Sequence, residues 1–203
     1  MQVLVVVAHP CAESFNHAIA ARACDGLVEG GHTVDRLDLY ADAIDPVMPA
    51  AEWHHYVDIA ATGSLPTTAL EPWVVAHIER INAADALVLV YPTWWSSLPA
   101  VLKGWLERCM RPGVAFKLDS RGRMRPGLSR LRRIVGISTY GSSWWYVKAI
   151  NDNGRRIIAR ALRASAGPRS RATWMPFYSV DTSTADRRTA FLDRVHRTMR
   201  SLR

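Results

Sequence analysis

Val3-Leu4-Val5-Val6-Val7-Ala8 is an unbroken, β-branched apolar run that stops at His9-Pro10. A run of this length fits a strand buried on both faces, which is how the strands of a parallel sheet read. A helix follows. Ser14 is placed to cap it, and Phe15, Ile19, Ala23 and Leu27 return every four residues until Gly30-Gly31. Thr33 to Leu39 then alternates in polarity, as a less buried strand nearer a sheet edge does.

The same alternation continues to the C-terminal end. Residues 40–68 form a long, weakly periodic connection with a short helix expected around 50–60. Residues 70–82 have helical spacing through Leu70, Trp73, Val74, His77, Ile78 and Ile81. Ala86-Leu87-Val88-Leu89-Val90-Tyr91 is a second fully buried strand, ended by Pro92. Leu98-Pro99-Ala100 opens a helix with Pro near its first position and Val101, Leu102, Trp105, Leu106 and Cys109 on one face. Pro112 to Arg133 is a Gly/Pro/Arg loop, and Ile134 to Ser138 is a third buried strand. Tyr146 to Arg163 has helical content, with Asp152-Asn153 before Gly154 as a candidate break; Arg171 to Tyr178 is the expected last strand, and Ser183 or Thr184 caps a final helix with Phe191, Val195, Met199 and Leu202 as its stripe. Strands joined by helices imply a doubly wound α/β fold with a parallel sheet and helices on both faces. About five strands suit the flavodoxin-like order 2-1-3-4-5, in a single domain spanning residues 1–203.

The 203 residues are 49% hydrophobic and 22% charged, which excludes disordered and collagen-like classes. The net charge of +8 is unevenly spread. Residues 1–101 carry 3 basic and 12 acidic side chains, and residues 102–203 carry 23 and 6. Such asymmetry raises the question of an anionic partner, against the plainer reading of two surfaces of unlike charge. Cys11, Cys24 and Cys109 form no CxxC pair, so neither a disulfide framework nor a zinc site is expected, and a reducing compartment suits them. No apolar run approaches the length of a membrane span and no basic segment precedes the first strand. A soluble, cytoplasmic protein without stable membrane insertion is the expectation.

In open α/β sheets ligands bind at the carboxyl ends of the strands. Three loops occupy those ends here: His9 to Asn16, Pro92 to Ser97, and Thr139 to Tyr146. The first places His9, Ser14 and Asn16 before a helix N-terminus, where an anion is favoured. It contains neither GxGxxG nor GxxxxGK[ST]. A capping Ser14 and a packed His9 explain the same residues without a ligand. The second loop sets Trp94 and Trp95 beside Thr93, and the third pairs Gly141 with Trp144, Trp145 and Tyr146. Three loops of one character at adjacent strand ends suit a flat, phosphorylated ligand such as a flavin. Trp53-His54-His55-Tyr56 has no further ligands at metal spacing, so a structural or acceptor-pocket role is expected and no metal site. Cys11 lacks a base partner and reads as structural.

His9-Pro10 with Ser14-Phe15-Asn16, then Tyr91-Pro92-Thr93-Trp94-Trp95, then Leu98-Pro99-Ala100-Val101-Leu102-Lys103-Gly104-Trp105-Leu106-Glu107-Arg108 resemble the NAD(P)H:quinone oxidoreductase (DT-diaphorase-type) family of flavodoxin-like flavoproteins. The block P-x-x-W-x-x-x-P-A-x-L-K-G-W is its most specific part, and Thr139-Tyr140-Gly141-Ser142 resembles that family's T-T-G-G loop. The resemblance covers residues 2–150. It implies a non-covalent flavin, FAD with FMN as the alternative, and NADPH or NADH as electron donor. It implies phosphate contacts at His9, Ser14, Phe15 and Asn16. Ring contacts are implied at Pro92, Thr93, Trp94 and Trp95 on one side, and at Thr139, Tyr140, Gly141 and Ser142 on the other. It further implies a homodimer with a shared active site and ping-pong, two-electron reduction of a small-molecule acceptor: a quinone or a similar electron-poor aromatic. Gly141 and Tyr146 are the expected catalytic positions, stabilising negative charge on the reduced ring. The family's active-site His falls near Asn151 or Asp152, where no His stands.

Six arginines lie within residues 121–133. Arg121, Arg123 and Arg125 are candidates for the 2′-phosphate of NADPH or an anionic acceptor, with a solvated face or dimer contact as the plain alternative. Two other functions compete: an accessory flavoprotein subunit of a membrane transport system, and a flavodoxin-like electron carrier, which the basic charge disfavours. Nucleic-acid binding lacks any reading motif and is not expected.

Overall fold

The computed structural model describes residues 1–54 and 70–203. In chain order the elements are β1 (Gln2–Val7), α1 (Phe15–Glu29), β2 (Thr33–Asp38), α2 (Pro72–Ala83), β3 (Ala86–Pro92) and α3 (Ala100–Cys109). Then come β4 (Phe116–Leu118), β5 (Met124–Pro126), β6 (Arg133–Thr139) and α4 (Trp144–Ala149). Helix α5 runs through Asn153–Arg156, a π-helical stretch Ile157–Leu162 and Arg163–Ala166, before β7 (Arg171–Phe177) and α6 (Ala185–Arg200). Residues 50–54 are also helical, in the region where a short helix is expected. The remainder of that expectation, with His55 and Tyr56, lies outside the described residues.

Five strands make one parallel sheet in the order β2-β1-β3-β6-β7. With the separate β4–β5 hairpin set aside, this is the doubly wound 2-1-3-4-5 order that the apolar runs imply. Every residue of β3 is buried, and Val3 to Ala8 are at most 1% exposed, as continuous apolar strands between two helical layers require. One layer packs α1 and α6 through Ile19, Leu27, Phe191 and Val195. The other brings α2, α3 and α5 against the sheet through Ile81, Trp105 and Ile158. Register aligns the strand ends: Pro92 sits opposite Thr139, and Thr139 opposite Phe177. The loops that leave β1, β3 and β6 are thereby neighbours at one edge of the sheet.

Three details differ from the sequence expectation, the first being the β4–β5 hairpin inside the stretch expected as a Gly/Pro/Arg loop. Pro99 is the N-cap of α3 and not a first-turn residue. The helix expected over Tyr146–Arg163 is two helices, because Asn151 and Asp152 take left-handed backbone angles, φ +75° and +38°. Asn and Asp tolerate that conformation best among non-glycine residues. Asp152 then caps α5 by accepting the Arg155 N–H at 3.3 Å.

Helix α3 also explains two residues of its motif. A Cβ on Gly104 would collide with the backbone carbonyl of Pro46, so glycine lets the segment around residue 46 lie on the helix. Arg108 is fully buried. Its Nε and Nη2 donate to Glu52 at 3.0 and 2.5 Å, its Nη1 donates to the Asp45 carbonyl at 2.7 Å, and its guanidinium lies 4.7 Å from the Trp73 ring centroid. Buried Arg111 donates to the other Glu52 oxygen at 2.8 Å. The cluster pins residues 45–54 to α3.

Candidate functional site

Two clefts open at the carboxyl ends of the strands and share Thr93 and Gly141 as a common wall. One, of about 350 Å³, is lined by His9, Ser14, Phe15, Asn16, Trp94 and Asp181 among others. The other, of about 380 Å³, is lined by Trp95, Tyr140, Ser142, Tyr146, Val147 and Asp152 among others. The structure therefore gathers the three loops into one continuous site with two compartments. Pro92 and Thr139 line the first compartment, so every cofactor position named from sequence borders one of the two.

The first compartment is built on the N-terminus of α1. Ser14 caps the helix: its Oγ accepts the His17 N–H at 3.3 Å. The next N–H groups, of Phe15 and Asn16, have no intrahelical acceptor, and no acidic side chain stands in the first turn. That end of the helix favours an anion. His9 Nδ1 accepts the Cys11 N–H at 3.1 Å, which leaves Nε2 as the proton-bearing nitrogen of the neutral ring. Burial lowers the His9 pKa below its ordinary value, outweighing a backbone hydrogen bond at Cys11, and the neighbouring His17 lowers it further. His9 thus presents a neutral donor.

Two of the expected phosphate residues act by packing and bracing as well. The Phe15 ring lies 5.1 Å from that of Phe177 and 6.2 Å from that of Phe191. The buried Asn16 amide donates to Thr139 Oγ1 at 3.1 Å, tying α1 to the end of β6. What these two residues offer a phosphate is therefore their backbone N–H. Sequence reasoning missed His17, which holds the His9 carbonyl at 3.0 Å through Nε2 and accepts from Arg36 Nη2 at 3.2 Å. Its spacing from His9, with Arg36 and Asp38 at the end of an adjacent strand, was the available signal.

The second compartment is walled by aromatics. Trp94 and Ser97 exchange backbone hydrogen bonds of 3.2 and 3.0 Å around Trp95 and Ser96. Both central residues have positive φ, +47° and +60°, which side chains other than glycine adopt at a cost of about 1 kcal/mol or more each. The turn leaves the Trp95 side chain wholly exposed at the cleft. Tyr146 on the same cleft and Trp94 on the first compartment are also exposed, as are Trp144 and Trp145 of the third loop, all between 42% and 67%. Thr93 Oγ1 is hydrogen-bonded to Ser138 Oγ at 2.8 Å, and its N–H donates to the Thr139 carbonyl at 2.7 Å, fixing the cleft floor.

Tyr140 is buried and its hydroxyl donates to Asp152, 3.0 and 3.1 Å from the two carboxylate oxygens. Burial and the adjacent Asp152 charge push the Tyr140 phenol well above its ordinary range, so it stays protonated. Tyr178 stacks on it at 4.9 Å. The loop after β7 braces the Gly141 turn: the Ser179 N–H donates to the Ser142 carbonyl at 3.1 Å and the Val180 N–H to the Tyr140 carbonyl at 2.9 Å. A Cβ on Gly141 would stand 2.7 Å from Asp181 Oδ2, so a side chain there would have to turn the Asp181 carboxylate aside. Asp152, Asp181 and Tyr178 were not singled out as site residues by their sequence context; a carboxylate at the position corresponding to the family's His was the one hint.

Arg121, Arg123 and Arg125 line neither cleft. They gather around Asp119 in the β4–β5 hairpin: the Arg121 N–H donates at 3.0 Å, and Arg123 Nε and Arg125 Nε each donate at 3.0 Å. Among the described residues no cluster of three or more His, Cys, Asp and Glu could hold a metal.

The profile of the flavodoxin-like fold family matches residues 1–201. The structure superposes on Smu.1420 of Streptococcus mutans UA159 with a TM-score of 0.83 at 26% identity, over 100% of both chains. It superposes on an NAD(P)H:quinone oxidoreductase of Methanothermobacter marburgensis with a TM-score of 0.82 at 27% identity, over 98% of this chain and 94% of that one. In sequence it is 28% identical over 151 residues to NAD(P)H dehydrogenase (quinone) 1 of Rattus norvegicus, which covers 70% of this chain and 55% of that protein. The chain thus spans little more than half the length of that curated relative. An uncharacterized NAD(P)H oxidoreductase of Haemophilus influenzae is 32% identical over 144 residues, 70% of this chain and 66% of its own. The chain belongs to the flavodoxin-like fold family, and within it resembles the NAD(P)H:quinone oxidoreductases.

Proposed function

We propose that the protein is a flavin-dependent NAD(P)H:acceptor oxidoreductase that reduces quinones or similar electron-poor aromatics by two electrons in a ping-pong sequence. The observation that carries this reading is the pair of clefts sharing Thr93 and Gly141, one built for an anion and the other walled by aromatics. That arrangement fits a molecule with a phosphate at one end and a flat ring at the other. A bound flavin supplies the hydride chemistry, which no side chain here can perform.

The chain's own residues supply position and charge. His9 donates from Nε2, and the Phe15 and Asn16 N–H groups hold phosphate at the end of α1, with Ser14 keeping that helix end in place. FAD is preferred over FMN on the Ser14-Phe15-Asn16 element. Pro92, Thr93, Trp94 and Trp95 form one side of the ring compartment. Thr139, Tyr140, Gly141 and Ser142 form the other, and the backbone N–H groups of the Gly141 turn offset negative charge that develops there. Tyr146, 45% exposed at the cleft wall, is the candidate to hold a proton for the acceptor.

The same proposal includes a homodimer. Trp94, Trp95 and Tyr146 border the two compartments and are exposed, as are Trp144 and Trp145 in the third loop; so many exposed aromatics are more than an isolated surface would be expected to leave uncovered, and a second copy closing over the site would bury them. A cytoplasmic setting rests on the cysteines, which are all free. The test is a titration of the protein with FAD and with FMN, followed by initial rates at several NADPH and quinone concentrations. Tight binding of one flavin and parallel double-reciprocal lines are expected. Intersecting lines would refute the shared cleft.

A further inference from the structure

The guanidinium groups of this basic protein are mostly committed. Arg123 and Arg125 hold Asp119, and Arg108 holds Glu52. A cleft along α6 also carries arginines, but Arg187 donates to the Tyr178 carbonyl at 2.8 Å and lies 4.9 Å from the Phe177 ring centroid. Its neighbour Arg194 donates to the Pro176 carbonyl and lies over Phe191.

A third cleft differs. It measures about 390 Å³ and is lined by Lys148, Asn151, Asp152, Arg155, Arg156 and Arg160, with the small Ala159 between the last two. Among the described residues no carboxylate or carbonyl accepts from the Arg155, Arg156 or Arg160 guanidinium, and Arg155 acts only electrostatically, on the Tyr178 phenol. Lys148 makes one cation–π contact, 5.4 Å from the Trp144 ring centroid. Arg156 precedes the π-helical stretch of α5 and Arg160 lies within it, a local departure frequently found at functional sites. The cleft shares Asp152 with the ring compartment, so the two are contiguous. The one carboxylate on its wall is already bound by the Tyr140 hydroxyl and the Arg155 N–H, which offsets its charge toward an incoming anion.

We propose that this cleft is an anion subsite for the molecule that reacts in the neighbouring ring compartment, with the 2′-phosphate of NADPH as the group it takes. The proposal rests on the oxidoreductase reading for its ligand. Planar guanidinium forks from successive turns of one helix suit a phosphate dianion, and Lys148 adds a fourth charge from α4. It moves the donor-selecting role from the β4–β5 hairpin to α5. A sulfonate or carboxylate of an acceptor has the same chemistry, and the experiment separates the two sources.

The test compares the wild type with the Arg155→Gln/Arg156→Gln/Arg160→Gln variant, whose changed side chains are all exposed. Calorimetric titration with adenosine 2′,5′-bisphosphate and with adenosine 5′-monophosphate gives a readout free of turnover. The wild type is expected to prefer the bisphosphate by about tenfold or more, and the variant to lose that preference, given the strength of charge-assisted hydrogen bonds. In turnover the KM for NADPH should rise by about tenfold and that for NADH by less than about twofold. If the nucleotides do not discriminate but the KM of a naphthoquinone sulfonate rises while that of the neutral quinone does not, the subsite stands and serves the acceptor. Unchanged affinities throughout, or equal losses for both donors and both acceptors, overturn it. Absence of flavin reduction by either donor defeats the oxidoreductase reading instead, and the calorimetry still decides whether the cleft recognises the 2′-phosphate.

Discussion

Asn16→Ala should weaken both the fold and the site, because the buried hydrogen bonding between the Asn16 and Thr139 side chains joins the first loop to the third. Asn16 and Thr139 are 4% and 3% exposed, and 123 residues separate them in sequence. The Asn16 amide donates to Thr139 Oγ1 at 3.1 Å. Removing it leaves a buried hydroxyl without its partner, a loss of about 1–3 kcal/mol. For a chain of this size each kcal/mol corresponds to about 2–4 °C in Tm. Thr139→Val removes the other partner with little change of shape. The double variant should then be less destabilised than the sum of the singles, by about 1 kcal/mol. Urea denaturation of the four proteins gives the stability cycle, and flavin titration of the same four gives a binding cycle. Coupling is expected in both. Strict additivity in the two cycles, within about 0.3 kcal/mol, would show that the bond does not join the loops and would refute the reasoning.

Glu52→Gln should destabilise the protein by about 3–5 kcal/mol in denaturant titrations, because it removes the counter-charge of two fully buried arginines. His77 is buried, accepts the Trp105 indole N–H at 3.2 Å, and has its pKa pushed below 6.5 by burial, which outweighs the hydrogen bond to Asp42. The unfolded chain therefore binds more protons below that pH. Folding stability should fall as pH drops from about 6.5, and His77→Gln should reduce the slope. The phenols of Tyr91 and Tyr140 are raised above 10 by burial, so their contribution is complete below pH 10 and lost above it. In an alkaline absorbance titration these two should ionise after the exposed tyrosines, and Tyr140→Phe should remove one late step. Arg123→Gln/Arg125→Gln should leave the KM values for NADPH and NADH unchanged in steady-state assays, since both side chains serve Asp119.

Much of the fold is legible in the residues because burial on both faces forces continuous apolar strands, and Val3–Ala8 and Ala86–Tyr91 have no polar interruption. The three site loops are legible for a related reason: each begins where such a run ends. Other features are hidden by residue type. Arg108 and Arg111 look like surface charges, yet they share the Glu52 carboxylate 56 and 59 residues away in the core, and Arg108 also reaches Glu71 at 3.3 Å. Asp152 sits within helical periodicity; Asp152-Asn153 before Gly154 marks the break, while the left-handed angles that make it, at Asn151 and Asp152, are ones Asn and Asp tolerate without demanding. The β4–β5 hairpin is short and exposed, so no pattern of burial marks it, and its arginines look free until Asp119 is placed among them.

The central claim is most directly tested by anaerobic addition of NADPH to the flavin-loaded protein while its visible spectrum is followed. A yellow protein that bleaches fully within seconds and recovers its colour on addition of one equivalent of quinone is expected. A colourless protein that takes up neither FAD nor FMN, or a bound flavin that stays oxidised with both NADPH and NADH, would contradict it.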